Sequence, residues 1–433
     1  RDVAPSRGLG DVYKRQRQSN KLNTMNKLLL IWIVVLLTSC ITNQENARDT
    51  LFVNLTDATD SQSLKLSDFG NTVRYVPLET NEVCLIGDNP HIALLKDKIV
   101  LSTTDQCFLF HKQTGKYICS IGHIGDDPSG YSSTNYWIDD AGLFYFFRAP
   151  DQLLKYNQKG EMTGKIQIPH IPAAPDFFAF SDSTIIAHCN SSIGLESSNS
   201  LLFLNSFGEK LDSIPNLLKS PSIPSPDNIS SLSIIKRGAG FFGNLGRRGV
   251  MIIKDKEQGE LLLPLYNPSL WSSENEVRFR ETFTDTIYTI KNRKLYPYMV
   301  FHTDTDHSSA NPLWYSNPQS IYVAYVLENT HSVFFQYVKN KQVYNGLYNK
   351  ETQQTKFAKC QQFIVDDLTS EQELKVDLSA LCSYKGEYGF ILEAASIPDA
   401  SQKQSDNKNE NIPHWMSQLD EDANPVIAIV SDK

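Results

Sequence analysis

Lys98 to Tyr131 reads KIVLSTTDQCFLFHKQTGKYICSIGHIGDDPSGY, and its pattern decides the fold. Ile99-Val100-Leu101 is an apolar run, broken by small polar residues from Ser102 to Gln106. Phe108-Leu109-Phe110 resumes it, Gln113-Thr114-Gly115 breaks it again, and Lys116 to Ile121 alternates. Short β-branched and aromatic runs divided by turn residues predict antiparallel strands. Gly115 supplies the positive φ that a tight hairpin needs. No apolar set at helical spacing lasts beyond two turns, which argues against helix. A two-residue turn at Gln113-Thr114 would set Cys119 opposite Phe108, with Cys107 and Cys119 pointing to opposite faces.

The pattern recurs. Leu143 to Phe147, Leu153 to Tyr156 and Gly164 to Ile168 form a second copy around a turn at Lys159-Gly160. Thr184 to His188 and Leu201 to Leu204, with a turn at Gly208, form a third. The turn glycines Gly115, Gly160 and Gly208 lie 45 and 48 residues apart. Such a period belongs to four-stranded β-propeller blades, with repeats of about 40–50 residues. Further strands are expected at Val250–Ile253, Leu261–Leu263, Val277–Phe283, Ile321–Val326, Val333–Val338, Lys341–Leu347, Thr355–Ala358 and Tyr388–Ala394. An open blade edge invites mispairing, so Val73–Val76 and Val426–Val430 are expected to share a closing blade. From Val73 to Lys433 there are 361 residues, roughly 60 per blade for six blades with long loops.

The N-terminal region follows a different logic. Residues 1–24 are basic and lack an apolar core, and read as a non-native extension ahead of Met25. Lys27, the apolar run Leu28–Leu37 and Leu37-Thr38-Ser39-Cys40 resemble a bacterial lipoprotein signal, with residues 25–39 as the signal peptide. The apolar run is too short to span a bilayer. That resemblance implies cleavage before Cys40 and acylation of its thiol, which would anchor the chain by burying acyl chains in one leaflet. Residues 40–66 read as a polar tether, and 67–433 as the propeller domain.

Val73-Arg74-Tyr75-Val76-Pro77-Leu78-Glu79-Thr80, then Leu85-Ile86-Gly87-Asp88, sharpen the picture. So do the loop Gly122 to Tyr131, Thr286 to Ile290 with Tyr296 to Phe301, and Asn424 to Val430. Together with the lipobox they resemble the six-bladed β-propeller lipoproteins of Bacteroidetes, over nearly all the chain after Cys40. The loop keeps the glycine frame of that family but carries Asp126-Asp127 where smaller residues are usual. The resemblance implies an all-β fold, a six-bladed propeller of four-stranded antiparallel blades closed by the terminal strands. It also implies an outer-membrane lipoprotein, and no general chemistry. Ile41 to Ala47 lack the acidic cluster associated with surface display, so a periplasmic-facing position is preferred.

Residues 1–39 hold seven Lys/Arg and two Asp/Glu, so the chain from Cys40 has 34 basic and 47 acidic residues, a net of −13. That charge disfavours nucleic acid. The six cysteines after Cys40 lie mostly in apolar strands and read as buried thiols. No CxxC or Cys/His zinc spacing, HExxH or GxSxG occurs, so no metal, cofactor or catalytic residue is assigned. A lone His at a strand end, such as His123, His188 or His331, reads as structural. The basic glycine-rich stretch Gly238–Gly249 is not a nucleotide loop and reads as a solvated connection. Ser220–Pro226 reads as a rigid insertion, Ile397–Ile412 as a polar excursion and His414–Leu419 as a helical turn.

In a propeller, loops between blades and between middle strands share one rim. Asp105, His123, Asp126, Asp127, Arg148 and Asp151 are expected there, joined by Asn190–Ser200. This rim is the candidate ligand site, and the expected function is a lipid-anchored binding or scaffold module for a glycan or protein partner. The alternative is an envelope hydrolase or lyase acting on carbohydrate. Fold alone does not choose between them.

Overall fold

The computed structural model describes residues 50–432 apart from 57–62, 88, 171–176, 182, 190–198, 218–225, 237–248, 258, 265–267, 282–283, 305–320, 341, 370–371, 398–418 and 421. The stretches 190–198, 220–225, 238–248, 414–417 and most of 397–412 therefore lie outside the described residues. So do Cys40 and its signal.

The described chain is all-β. Sheet I holds His91–Leu94, Lys98–Ser102, Cys107–His111 and Tyr117–Ser120. Sheet II holds Tyr136–Ile138, Phe144–Arg148, Gln152–Tyr156 and Met162–Gln167. Sheet III holds Phe177–Ser181, Thr184–His188, Asn199–Leu204 and Lys210–Pro215. Sheet IV holds Leu270–Ser273, Glu276–Phe279, Thr286–Lys291 and Lys294–His302; sheet V holds Tyr322–Glu328, Ser332–Lys339, Gln342–Asn349 and Thr355–Lys359. In each of these five, strands pair antiparallel in chain order. Sheet VI draws on both ends of the chain: Cys382–Tyr384, Glu387–Leu392, Val426–Ser431 and then Thr72–Pro77. Val73 lies opposite Val430 and Val76 opposite Ile427, the shared pairing expected from the sequence. A three-stranded sheet (Ile229–Lys236, Gly249–Asp255, Gly259–Pro264) and the hairpin Phe363–Asp366 with Gln372–Lys375 complete the set.

The inner strands of sheets I to VI bury both faces, which is why most of them read as unbroken apolar runs. In sheet I, Ile99 and Phe108 pack with Val76, Ile391 and Ile427 of sheet VI. Val100 and Leu109, one residue along, pack with Phe144, Leu154 and Tyr156 of sheet II. The pattern continues with Leu153 and Ile166 against Ile185 and Leu202 of sheet III, then Ile186 and Phe203 against Leu270 and Phe279 of sheet IV. Met299 and Phe301 meet Val323 and Phe335 of sheet V. Tyr325 and Phe334 meet Phe390 and Val426 of sheet VI. Each such fully buried side chain contributes roughly 1.5–3 kcal/mol. The three-stranded sheet packs Val250, Ile253 and Leu261 on Tyr322 and Val343 of sheet V.

The three repeat glycines do the same thing. Gly115, Gly160 and Gly208 have φ of +68°, +79° and +88°. A Cβ on them would lie 1.9, 2.2 and 1.9 Å from the carbonyl oxygens of Pro77, Ser120 and Gln167. Each of those carbonyls ends the outer strand of the preceding sheet. The turns in sheets II and III are near copies: Asn157 Oδ1 accepts from Lys159 and Glu161 N–H, and Asn205 Oδ1 from Phe207 and Glu209 N–H.

Three expectations are corrected. The hairpin turn in sheet I spans Lys112 to Gly115, because Gly115 N–H donates to His111 O and His111 N–H to Lys116 O. The resulting bulge sets Cys119 opposite Leu109, so Cys107 and Cys119 share one core rather than facing apart. The tether assignment for 40–66 fails in its second half. Leu51–Asn54 is a strand paired parallel to Lys294–His302, and Leu55, Leu64 and Leu66 are buried. The apolar side chains of that stretch find a core that local polarity does not reveal. Finally, the strand expected to reach Phe283 ends at Phe279, where Arg280 turns its guanidinium to Thr284 O and Val323 O.

Candidate functional site

Four of the six rim residues come together on the connection from sheet I to sheet II. Gly122 has φ +58° and sits against the rings of Tyr131 and Tyr156. The loop folds back so that Tyr131 N–H donates to His123 O at 3.0 Å and Gly130 N–H to Asp127 O at 2.9 Å. Tyr131 is buried, stacks on Phe146 at 4.1 Å and donates its hydroxyl to Ile121 O. The Asp127 carboxylate accepts from Ser129 N–H at 2.9 Å and Ser129 Oγ at 2.6 Å, and lies 2.5 Å from His123 Nε2. The Ser129 bonds first, then His123, hold the Asp127 carboxyl well below the usual carboxylate range.

Arg148, from the second strand of sheet II, clamps this loop. Its guanidinium donates to Asp126 O at 2.9 Å and to Asp127 O. Its hydrogen-bonding fork is spent on backbone, while the Asp126 side chain stays exposed. Asp105 accepts from Thr103 Oγ1 at 2.8 Å, and Thr103 O accepts from Thr134 Oγ1. Asp151 contributes its backbone carbonyl, which takes the Ile168 N–H and the Gln167 amide. Neither Asp105 nor Asp151 bonds to the clamped loop in this arrangement.

Two further features escape a reading of the sequence. The first is a buried charge network between sheets IV and V. Glu328, with no side-chain exposure, accepts from Lys350 Nζ at 2.7 Å, Trp271 Nε1 at 2.9 Å and Tyr298 OH at 2.9 Å. Arg278, equally buried, lies 3.4 Å from Glu328, 3.7 Å over the Tyr298 ring and 2.6 Å from Glu276. Burial opposes ionisation of Glu328, but Lys350 and Arg278 outweigh it and lower its pKa. Such a network fixes the geometry of its surroundings; removing one partner strands the other.

The second is a cleft of about 600 Å³ at the seam between sheets V and VI. One wall is the turn from Asn349 to Thr355, the other the segment Ser67–Gly70 that leads into the closing strand. The exposed His331 and Asp432 and the buried apolar Phe69 and Leu347, its floor by their burial, also line it. Lys356 Nζ bonds both carboxylate oxygens of Asp68, at 2.6 and 2.8 Å. These residues lie far apart in sequence, so no local motif announces the cleft.

Among the described residues no group of three or more His, Cys, Asp or Glu is placed to hold a metal ion. No helix among them is long and apolar enough to cross a membrane.

A family model described as "Domain of unknown function (DUF4934)" matches residues 50–431. No curated protein matches. Among solved structures, a Bacteroides fragilis NCTC 9343 protein described, by name alone, as exported superposes with a TM-score of 0.60 at 17% identity. The match covers 89% of this chain and all of that one, and establishes a shared fold. A streptogramin B lyase structure (TM-score 0.34, 11% identity, 74% of this chain and 94% of the other) is too distant to carry an argument. So is the dihydro-heme d1 dehydrogenase NirN (0.30, 14%, 62% and 56%).

Proposed function

Because the chain belongs to the DUF4934 family, whose function is unknown, we propose from its own geometry that it is a lipid-anchored binding or scaffold module of the cell envelope. Its six large sheets, five of four strands and sheet IV of five with Leu51–Asn54, are read as the blades of a closed β-propeller. The order of packing supports that reading: VI on I, I on II, and so on to V on VI. An envelope location is supported by the lipoprotein-like signal with Cys40 and by the exported description of the Bacteroides fragilis neighbour. Within the envelope the proposal is an outer-membrane lipoprotein facing the periplasm.

The observation that carries the binding role is the Arg148 clamp. A loop fixed by seven hydrogen bonds from Tyr131 N, Gly130 N, Ser129 N, Ser129 Oγ, Arg148 and His123 presents its exposed Asp126 with little ordering left to do on contact. Its ligand is a glycan or a protein partner. The test screens lipid-free protein on a glycan array and against envelope extract, beside the Asp126→Ala/Asp127→Ala double variant. Loss of a captured ligand in the variant supports the loop. A ligand held equally by both proteins removes the loop from the binding surface. Mass spectrometry of the protein from its host checks the acyl chains on Cys40.

A further inference from the structure

We propose that the cleft at the seam between sheets V and VI binds a short neutral oligosaccharide; this rests on the binding-module reading and names a second site and its ligand class. The size is suitable, since small-ligand pockets run from about 300 to 1,000 Å³ and this one is about 600 Å³.

The charge balance selects a neutral ligand. Among the described residues the lysine that lines the cleft, Lys356, is held by both oxygens of Asp68, so that pair presents no net charge. The exposed Asp432 remains and would repel a carboxylate or sulfate.

The lining selects hydroxyls. Thr352, Gln354 and Thr355 line the turn wall, and a hydroxyl or amide both donates and accepts, as each sugar hydroxyl does. The turn is built without them. Asn349 Oδ1 takes the N–H groups of Glu351 and Thr352, and the Asn349 and Gln354 backbones pair. The side chains of Thr352 and Gln354 are exposed and left to a ligand. The floor selects a C–H face. Leu347 is 6% exposed and Phe69, wedged edge-on against Tyr388 and Phe390, is 3% exposed. The exposed His331 also lines the cleft. Both walls are fixed before binding, one by Lys350 reaching into Glu328 and the other by the Asp68–Lys356 pair.

The experiment titrates the full chain with cello-, malto- and mannooligosaccharides by calorimetry, with oligogalacturonides as the acidic control. One neutral series should bind, and Thr352→Ala/Gln354→Ala should weaken it about tenfold, the loss of two neutral hydrogen bonds. The variants lie on an exposed turn, and an unchanged melting curve confirms their fold. Absence of binding by every neutral series, better binding of oligogalacturonides, or binding untouched by the double variant overturns the proposal. Binding lost only in Asp126→Ala/Asp127→Ala also overturns it, while leaving the module reading standing on the clamped loop.

Discussion

The turns that follow the third strands of sheets I and V are built alike. In one, Gly115 N–H donates to His111 O and His111 N–H to Lys116 O; in the other, Gln353 N–H donates to Asn349 O and Asn349 N–H to Gln354 O. Both open on a lysine whose ammonium turns inward, Lys112 to Leu95 O and Glu387, Lys350 to Asn329 O and Glu328. Both carry a residue at positive φ in the same place, +68° at Gly115 and +57° at Gln353. Yet one is glycine and the other is not. The difference is what lies outside. Gly115 abuts the carbonyl of Pro77, whereas Gln353 is exposed on the turn that walls the seam cleft. Glycine is demanded by the neighbouring sheet more than by the dihedral. One turn serves as a joint between sheets and the other as a wall.

The comparison can be broken at the lysines first. Glu328 is fully buried with Arg278 and Lys350 beside it, so Glu328→Ala should cost about 3–5 kcal/mol in urea unfolding, the range for stripping one partner from a buried pair. Glu387, whose side chain is 27% exposed beside the buried Lys112, should lose less on the same change, about 1–3 kcal/mol, because Leu95 O still takes the Lys112 ammonium. Equal losses would mean the two anchors are equivalent.

The glycines come next. Gly115→Ala should cost about 2–3 kcal/mol, combining left-handed strain with a displaced carbonyl, and Gly160→Ala and Gly208→Ala should follow it. Gln353→Gly should shift stability by less than about 1 kcal/mol, since strain relief and added chain entropy oppose each other. A large loss at Gln353→Gly would show a contact that the exposed side chain conceals.

The last difference is in pH. Burial works against ionisation of Glu276, but hydrogen bonds from Lys291 and Arg278 outweigh it and hold the pKa at about 2. The folded pKa is depressed, so the contribution is complete above the ordinary glutamate range and disappears as pH falls through about 2. Glu276→Gln should flatten the acid limb of a stability profile. His188 steepens that limb. Its burial lowers its pKa to about 4, so protonation favours unfolding as pH falls from about 6.5.

How much can be read from the sequence follows from how local each interaction is. The strands and the 45- and 48-residue spacing of turn glycines are legible because each unit repeats a local hairpin. The Cys107–Cys119 relation is hidden because a four-residue turn with a bulge and a two-residue turn look alike in a string of Lys, Gln, Thr and Gly. Leu51–Asn54 reads as tether because its partner strand, Lys294–His302, lies more than 240 residues away. At the candidate site, Gly122 to Tyr131 is recognisable as a unit. The targets of Arg148 are not, since they are backbone carbonyls and leave no side-chain signature. The cleft needs Asp68 to meet Lys356 across 288 residues, which no window of local pattern covers.

The segment before the closing strand has a mechanical consequence. Leu51–Asn54 runs along the outer strand of sheet IV, Leu55 and Thr56 offer their carbonyls to Lys339 of sheet V, and Asp68 holds Lys356 before the chain enters sheet VI. A tug applied at Thr50 is therefore borne first by a short strand loaded in shear along its own axis. A pull on the leading end thus loads Leu51–Asn54 before it reaches the pairing of Val73 with Val430 in sheet VI.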